Sequence, residues 1–121
     1  MKTNDDIRTI DIPSKPSGCG SDVNGGELLR LALATCYCND IYREAGKRGL
    51  KVDGVEVHVE GDFGSEGEPA KNIVYSARVI SRASESEIRD LMQFTDQVAE
   101  IQNTLRAATP VTFSPIEIDR R

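Results

Sequence analysis

Two cysteines stand two positions apart in the segment "ELLRLALATCYCNDIYREAGKRG", which spans residues 27–49. A thiol either packs as a small apolar group or, once ionised, acts as a nucleophile or a metal ligand. The apolar pattern of the segment predicts a helix, on which Cys36 and Cys38 point ~200° away from each other. Their sulfur atoms therefore cannot form a disulfide with each other unless the helix unwinds.

Metal binding by these cysteines has little support in the spacing of the other ligand types. A metal site needs three or four converging ligands. The remaining cysteine and the single histidine are Cys19 and His58, and no C-x-x-C or H-x-x-x-H spacing accompanies them. His58 alternates with valines and is expected to face water. The residues thus predict no metal site and indicate no cofactor.

A nucleophilic role for Cys36 would require a group that stabilises its thiolate, such as a cation, a hydrogen-bond donor or a helix N-terminus. Cys36 lies about two and a half turns into the predicted helix, where the helix dipole has faded. The stabilising group must then come from another segment or another chain. From the residues alone, packing and nucleophilic chemistry both remain open.

The elements that position these cysteines follow from pattern and capping signals. The long helix is expected to begin near Glu27, capped by Asn24 or Asp22, and to end at Gly46 or Gly49. Its C-terminal end, with Arg43 and Glu44, is expected to be solvated. Residues 54–63 and 72–81 alternate apolar with polar side chains, which predicts an antiparallel hairpin with one solvent-exposed face.

Weaker signals mark the rest of the chain. Residues 5–13 predict a strand, and the Gly-rich segment after it predicts a loop that holds Cys19. Ser84 and Glu87 form a capping box for a second helix, and a third is expected to restart at Thr95 or Asp96. Residues 110–118 predict a last strand that Pro115 interrupts. The order β-α-β-β-α-α-β over residues 1–121 predicts a single α+β domain, with a mostly antiparallel sheet packed on a long helix.

Composition narrows the classes of function. The chain has 121 residues, a net charge of −5 and 38% hydrophobic residues. Lysines and arginines form no cluster, which argues against nucleic acid or an anionic membrane as a partner. No apolar leader or membrane-spanning stretch is present, so a cytoplasmic location with reduced cysteines is expected. The modest apolar content favours further burial at an oligomer interface.

Three segments together resemble the OsmC/Ohr family of osmotically inducible and organic-hydroperoxide-resistance proteins: "NGGELLRLALATC", "GLKVDGVEVHVEGDF" and "DQVAEIQNTLRAATPV". The resemblance covers about residues 24–111. It implies an OsmC-like α+β fold with a shortened N-terminal β region, and an intertwined homodimer whose long helices pack together. It also implies that Cys36 is the thiol that attacks organic hydroperoxides in an oxidative-stress response.

This sequence departs from the family pattern at three points. The second, resolving cysteine of the family falls on Asp96, and the glutamate of the turn before the helix falls on Gly26. The activating arginine comes from the N-terminal β region, where Arg8 is the candidate. Three hypotheses follow: a cysteine peroxidase reduced by an external thiol, a non-catalytic module that binds a small apolar or thiol ligand, and a redox sensor acting through Cys36 or Cys19.

Overall fold

A computed structural model describes residues 1–114 and 116–120. Two very short strands, β1 (Lys2–Thr3) and β2 (Asp6–Ile7), precede the long helix α1 (Gly25–Lys47). The hairpin strands β3 (Gly54–Asp62) and β4 (Lys71–Ile80) follow. Two helices, α2 (Glu85–Val98) and α3 (Glu100–Arg106), complete the described elements. The strands form two antiparallel pairs, β1 with β2 and β3 with β4, which confirms the predicted α+β class.

Helix α1 begins and ends where the sequence signals predict. The side chain of Asn24 accepts a hydrogen bond from the backbone N–H of Glu27, and the Glu27 carboxylate accepts one from the Asn24 N–H. This reciprocal capping box satisfies donors that the first turn of a helix leaves unpaired. At the other end, Arg48 caps the helix and Gly49 follows with φ +67°. A glycine adopts that left-handed conformation without steric cost.

The hairpin β3–β4 confirms the predicted alternation. Val57 pairs with Ala77 and Val59 with Tyr75, and these residues are half-buried, whereas His58 between the valines is exposed. The half-buried face packs against α1. One solvent-exposed face and one face packed against the core are typical of an antiparallel sheet in a small domain.

A small core joins α1 to α2 and to the hairpin. Ile41 and Leu91 are almost fully buried there, together with Tyr37 and Ala45. The Tyr37 hydroxyl donates to the backbone carbonyl of Met92 at 2.9 Å, and its ring meets that of Tyr75 edge-on with centroids 5.1 Å apart. Burial of the ring, followed by the charge of Asp96, raises the pKa of Tyr37 to about 12. The side chain thus stays neutral and fixes α1 against α2.

The predicted restart of a helix at Thr95 or Asp96 is wrong. Helix α2 begins as predicted at the capping box of Ser84 and Glu87 but continues through Val98. Thr95 is fully buried, and its hydroxyl donates to the carbonyl of Leu91 within the same helix. The helix breaks instead at Ala99, which has extended backbone angles and is completely buried.

The two predicted terminal strands are also largely absent. Of residues 5–13 only Asp6–Ile7 is a strand, and its partner is Lys2–Thr3 rather than a segment of the main sheet. Residues 110–114 and 116–118 contain no strand, and Pro115 lies outside the described residues. An alternating pattern forms a strand only when a neighbouring edge supplies its hydrogen bonds, and the described chain supplies none here.

None of the helices in the described part of the chain combines the length and the apolar character needed to cross a bilayer.

Replacing Leu91 tests this core. Leu91 is 1% exposed, so Leu91→Ala is expected to lower the free energy of unfolding by about 2–5 kcal/mol, through lost burial and the cavity left behind. Val111→Ala is the control, because Val111 is 98% exposed and its truncation should change stability by less than about 0.5 kcal/mol. Urea unfolding at matched protein concentration measures both. Equal effects of the two substitutions would contradict the core assignment.

Candidate functional site

The sulfur of Cys36 lies where α1 meets α3, half-buried and next to two carboxylates. Its Sγ atom is 3.5 Å from Oδ2 of Asp40 and 3.8 Å from Oε2 of Glu100. Asp40 stands four residues after Cys36, hence on the same face of α1 one turn later. Glu100 is the first residue of α3 and arrives from 64 positions away in sequence.

Helix α3 also brings a hydrogen-bond donor to the sulfur. The backbone N–H of Ile101 hydrogen-bonds to the thiol, an interaction that lowers its pKa. The buried break at Ala99 turns the chain so that the first turn of α3 faces α1. Gln102 then holds α3 in place, because its buried side-chain Nε2 donates to the carbonyl of Leu33 at 3.0 Å. The group that the thiolate requires thus comes from a distant segment of the same chain.

Arg43 links the carboxylates around Cys36 to one another. Its Nη1 is 3.1 Å from Oδ1 of Asp40 and 2.7 Å from Oε1 of Glu100. Its Nε is 2.7 Å from Oε2 of Glu44, which Lys47 also pairs at 3.1 Å. Glu44 is buried rather than solvated as expected. We call Cys36, Asp40, Arg43, Glu44 and Glu100 the thiol–carboxylate cluster.

The cluster has opposing effects on the ionisation of its thiol. Burial raises the pKa of Cys36 most, and Asp40 and then Glu100 raise it further, while the Ile101 N–H acts in the other direction. The net effect is a raised pKa. Negative groups beside a thiol disfavour its thiolate, so the fraction in the nucleophilic form at neutral pH is small.

The two carboxylates next to the sulfur also act on each other. Burial, followed by the hydrogen bond to Glu100 and its charge, raises the pKa of Asp40. The same hydrogen bond lowers the pKa of Glu100 to about 2, and Arg43 acts in the same direction. Glu100 is therefore charged throughout the physiological pH range, and Asp40 is the member of the pair that takes up a proton first.

Three side chains of the cluster are of the kinds that bind metal ions. Possible ligand atoms of Cys36, Asp40 and Glu100 lie within 4.8 Å of one another, a set different from the Cys19 and His58 considered from the sequence. Arg43, however, already pairs with both carboxylates, so a metal ion at these oxygens would have to displace its guanidinium. His58 is exposed, with Nε2 3.6 Å from Oε2 of Glu60.

Two other residues singled out from the sequence have contacts of their own. The Tyr75 hydroxyl donates to Asp96, and Arg106 pairs with the same carboxylate at 2.7 Å. Among the described residues, the carboxylates that contact Cys36 are therefore Asp40 and Glu100 rather than Asp96. Arg8 lies in the N-terminal hairpin, where its backbone N–H donates to the carbonyl of Met1. Its role in activating the thiol stays a prediction.

The remaining positions named from the sequence differ in exposure and surroundings. Cys19 is exposed, Cys38 is half-buried, and both are free thiols. At Gly26, a Cβ atom would come within 2.8 Å of the Phe63 ring. The glutamate that the resemblance associates with this position would therefore have to displace that ring.

The chain is an α+β protein in which a hairpin packs on a long helix, with a free cysteine midway along that helix at its junction with a short one. The family model for OsmC-like protein matches residues 18–114. The chain belongs to the OsmC-like family.

Solved structures share this fold. The OsmC-like protein from Mycoplasma pneumoniae superposes with a TM-score of 0.62 at 20% identity, covering 71% of this chain and 64% of that one. An OsmC-like protein of unknown function from Vibrio cholerae gives a TM-score of 0.56 at 17% identity, with coverages of 68% and 58%. The chain thus spans less than two thirds of each of these structures. No curated protein matches it.

Sequence reasoning missed the groups that touch the sulfur. Asp40 could have been found, because its spacing of four from Cys36 on a predicted helix places both on one face. Glu100 and the Ile101 N–H could not, because their position depends on the break at Ala99 and on how α3 packs. Arg43 stands seven residues after Cys36, hence on nearly the same helical face, and it pairs with the two carboxylates rather than with the sulfur.

Asp40→Asn tests the electrostatics of the cluster. Removing this negative charge lowers the pKa of Cys36, which raises the thiolate fraction at pH 7. Alkylation of Cys36 by iodoacetamide should become roughly three- to tenfold faster, since each pKa unit is a factor of ten. The rates are measured in protein carrying Cys19→Ser and Cys38→Ser.

Glu56→Gln is the matched control, because Glu56 pairs with Arg78 on the exposed face of the hairpin. It should leave the alkylation rate unchanged. An Asp40→Asn protein that reacts no faster than its parent would show that Asp40 does not suppress the thiolate.

Proposed function

We propose that this protein reduces organic hydroperoxides through Cys36, with an external monothiol as the reductant. The observation that supports the proposal most directly is the sulfur of Cys36 at the α1–α3 junction, half-buried, with the Ile101 N–H as a donor. A backbone donor of this kind stabilises a thiolate and then the polar products of its oxidation. Membership of the OsmC-like family supports the same assignment, because the resemblance in sequence implies that Cys36 is the attacking thiol.

The reaction proceeds in three balanced steps. The Cys36 thiolate attacks the terminal peroxide oxygen, the O–O bond breaks, and an alkoxide leaves and takes up a proton to become an alcohol. Cys36 is then a sulfenic acid, which condenses with one monothiol to give a mixed disulfide and water. A second monothiol attacks the mixed disulfide, restores Cys36 and leaves as the oxidised disulfide.

An external thiol is proposed as the reductant because neither Asp96 nor Cys38 is suited to resolve the sulfenic acid. Asp96, at the position implied for the second cysteine, is a carboxylate engaged by Tyr75 and Arg106. Cys38 lies two residues after Cys36 on a continuous helix, where the two side chains diverge by ~200°. A small thiol therefore carries out the second half of the catalytic cycle.

The proposed assembly is a homodimer in which two copies of α1 pack together. Leu28, Leu31, Thr35, Cys38 and Tyr42 follow the alternating spacing of three and four residues that two packed helices use. In the single chain this stripe is exposed except for Cys38, which is half-buried. An apolar stripe of coiled-coil spacing in water is favourable only if another surface covers it.

A second candidate function is non-catalytic binding of a small ligand, favoured by the raised pKa of Cys36. A groove of about 690 Å³ runs between β4 and α2, with Tyr37, Tyr75, Met92 and Asp96 in its walls. This groove does not include Cys36. The two candidates differ in one respect, because binding should survive Cys36→Ser whereas reduction of hydroperoxides should not.

Peroxide consumption tests the first candidate. With excess cumene hydroperoxide and a monothiol, the parent protein is expected to consume peroxide catalytically, and Cys36→Ser should reduce the rate to that of the buffer, because the nucleophile is gone. Cys38→Ser is the matched control and should retain the activity. A parent protein that consumes no peroxide with any monothiol would refute the proposal.

Sedimentation tests the assembly. The parent protein is expected to sediment as a dimer, and Leu31→Glu should shift it toward the monomer, because a charge would be buried in the middle of the stripe. Leu31 is 58% exposed in the single chain, and Ile10, 66% exposed outside the stripe, provides the control Ile10→Glu. A monomeric parent protein at micromolar concentration would contradict the assembly.

A further inference from the structure

The negative charges of the thiol–carboxylate cluster lie next to the sulfur, and the positive charge of Arg43 lies beyond them. Each of the two carboxylates next to Cys36 presents one oxygen to the sulfur and the other to Arg43. The sulfur meets Oδ2 of Asp40 and Oε2 of Glu100, whereas Arg43 meets Oδ1 and Oε1. A molecule that reaches the sulfur thus comes next to negative oxygens, and the guanidinium lies on their other side.

The cations of the cluster do not reverse this pattern. Arg43 is shared among three carboxylates, those of Asp40, Glu44 and Glu100. Lys47 pairs with Glu44 and contacts neither of the carboxylates beside the sulfur. Three acidic groups therefore face two basic ones, and two of the acidic groups, Asp40 and Glu100, contact the sulfur of Cys36. The side chain of Glu100 is 60% exposed, which places one of these charges on the side open to solvent.

We propose that the Cys36 site selects uncharged and cationic reaction partners against anionic ones, so that both its hydroperoxide and its thiol reductant belong to the neutral or positively charged class. For the identity of these substrates the inference rests on the proposed function. The preference itself is a property of the surroundings of the sulfur, and it applies to any reagent that the thiol attacks.

The expected size follows from Coulomb's law. Two unit charges ~4 Å apart in bulk water change a rate roughly fivefold, and the effect is larger at the lower effective dielectric of a protein surface. Salt at about 1 M shortens the screening length to ~3 Å and should remove most of the effect on the solvent side. Carboxylic acids such as fatty-acid hydroperoxides, and anionic thiols such as glutathione, would be the disfavoured partners.

Three methanethiosulfonate reagents that differ in charge measure this preference directly. The ethyltrimethylammonium, hydroxyethyl and sulfonatoethyl reagents each accept the thiolate sulfur, form a mixed disulfide and release methanesulfinate. The protein carries Cys19→Ser and Cys38→Ser and is used at pH 8. Each rate is divided by the rate of the same reagent with 2-mercaptoethanol, which removes differences in intrinsic reactivity. All three reagents react with the same thiolate, so its pKa cancels from the ratio.

The cationic reagent is expected to react at least tenfold faster than the anionic one after this correction. Glu100→Gln should decrease the ratio roughly threefold or more, and Glu56→Gln should not change it. A protein that keeps only Cys19, with Cys36→Ser and Cys38→Ser, measures the effect of the net negative charge of the chain on an exposed thiol. Its ratio of cationic to anionic rates should be clearly smaller than that of the protein that keeps only Cys36. High salt should make the rate ratios of the two proteins nearly equal.

A ratio near one, a preference for the anionic reagent, or a ratio that Glu100→Gln leaves unchanged would overturn the inference. A Cys36 that none of the reagents modifies would overturn it as well. The outcome is separate from that of the proposed function. A protein that discriminates between the reagents but consumes no hydroperoxide would support the charge preference and refute the peroxidase proposal. A protein that consumes hydroperoxide but does not discriminate between the reagents would support the peroxidase proposal and refute the charge preference.

Discussion

The packing of α3 on α1 is the interaction on which the chemistry of this protein depends. Glu100 comes into contact with Cys36 and Arg43 only because the chain breaks at the buried Ala99. Without that break the Ile101 N–H would also point elsewhere. One junction thus supplies the donor that favours the thiolate and a carboxylate that opposes it. The balance between these two groups, together with burial and Asp40, determines how reactive the sulfur is.

Helix α1 serves different purposes on different faces. One face, with Tyr37 and Ile41, packs in the core. The adjoining face holds Cys36, Asp40 and the ion pairs of Arg43. The exposed stripe that includes Leu31 has the spacing of a helix–helix contact. This division explains why apolar side chains occur on more than one face of the helix, although the domain that it supports is small.

Much of the architecture could be predicted because the signals are local. The Asn24 and Ser84 caps, the alternation of β3 and β4 and the class of the fold all follow from neighbouring residues. The break after Val98 could not be predicted, because Thr95 resembles a cap in sequence but is buried in α2. Only part of the candidate site could be predicted from the sequence. Cys36 and Asp40 share a helix, whereas Glu100 depends on tertiary packing.

A direct titration of Cys36 tests the central claim, that burial and the two carboxylates keep the proton on this thiol despite the Ile101 donor. The measurement follows the carbon-13 chemical shift of its Cβ atom with pH, in labelled protein carrying Cys19→Ser and Cys38→Ser. The account predicts a pKa above the value of about 8.5 for free cysteine. A pKa below that value would contradict it, because the donor would then outweigh burial and both carboxylates.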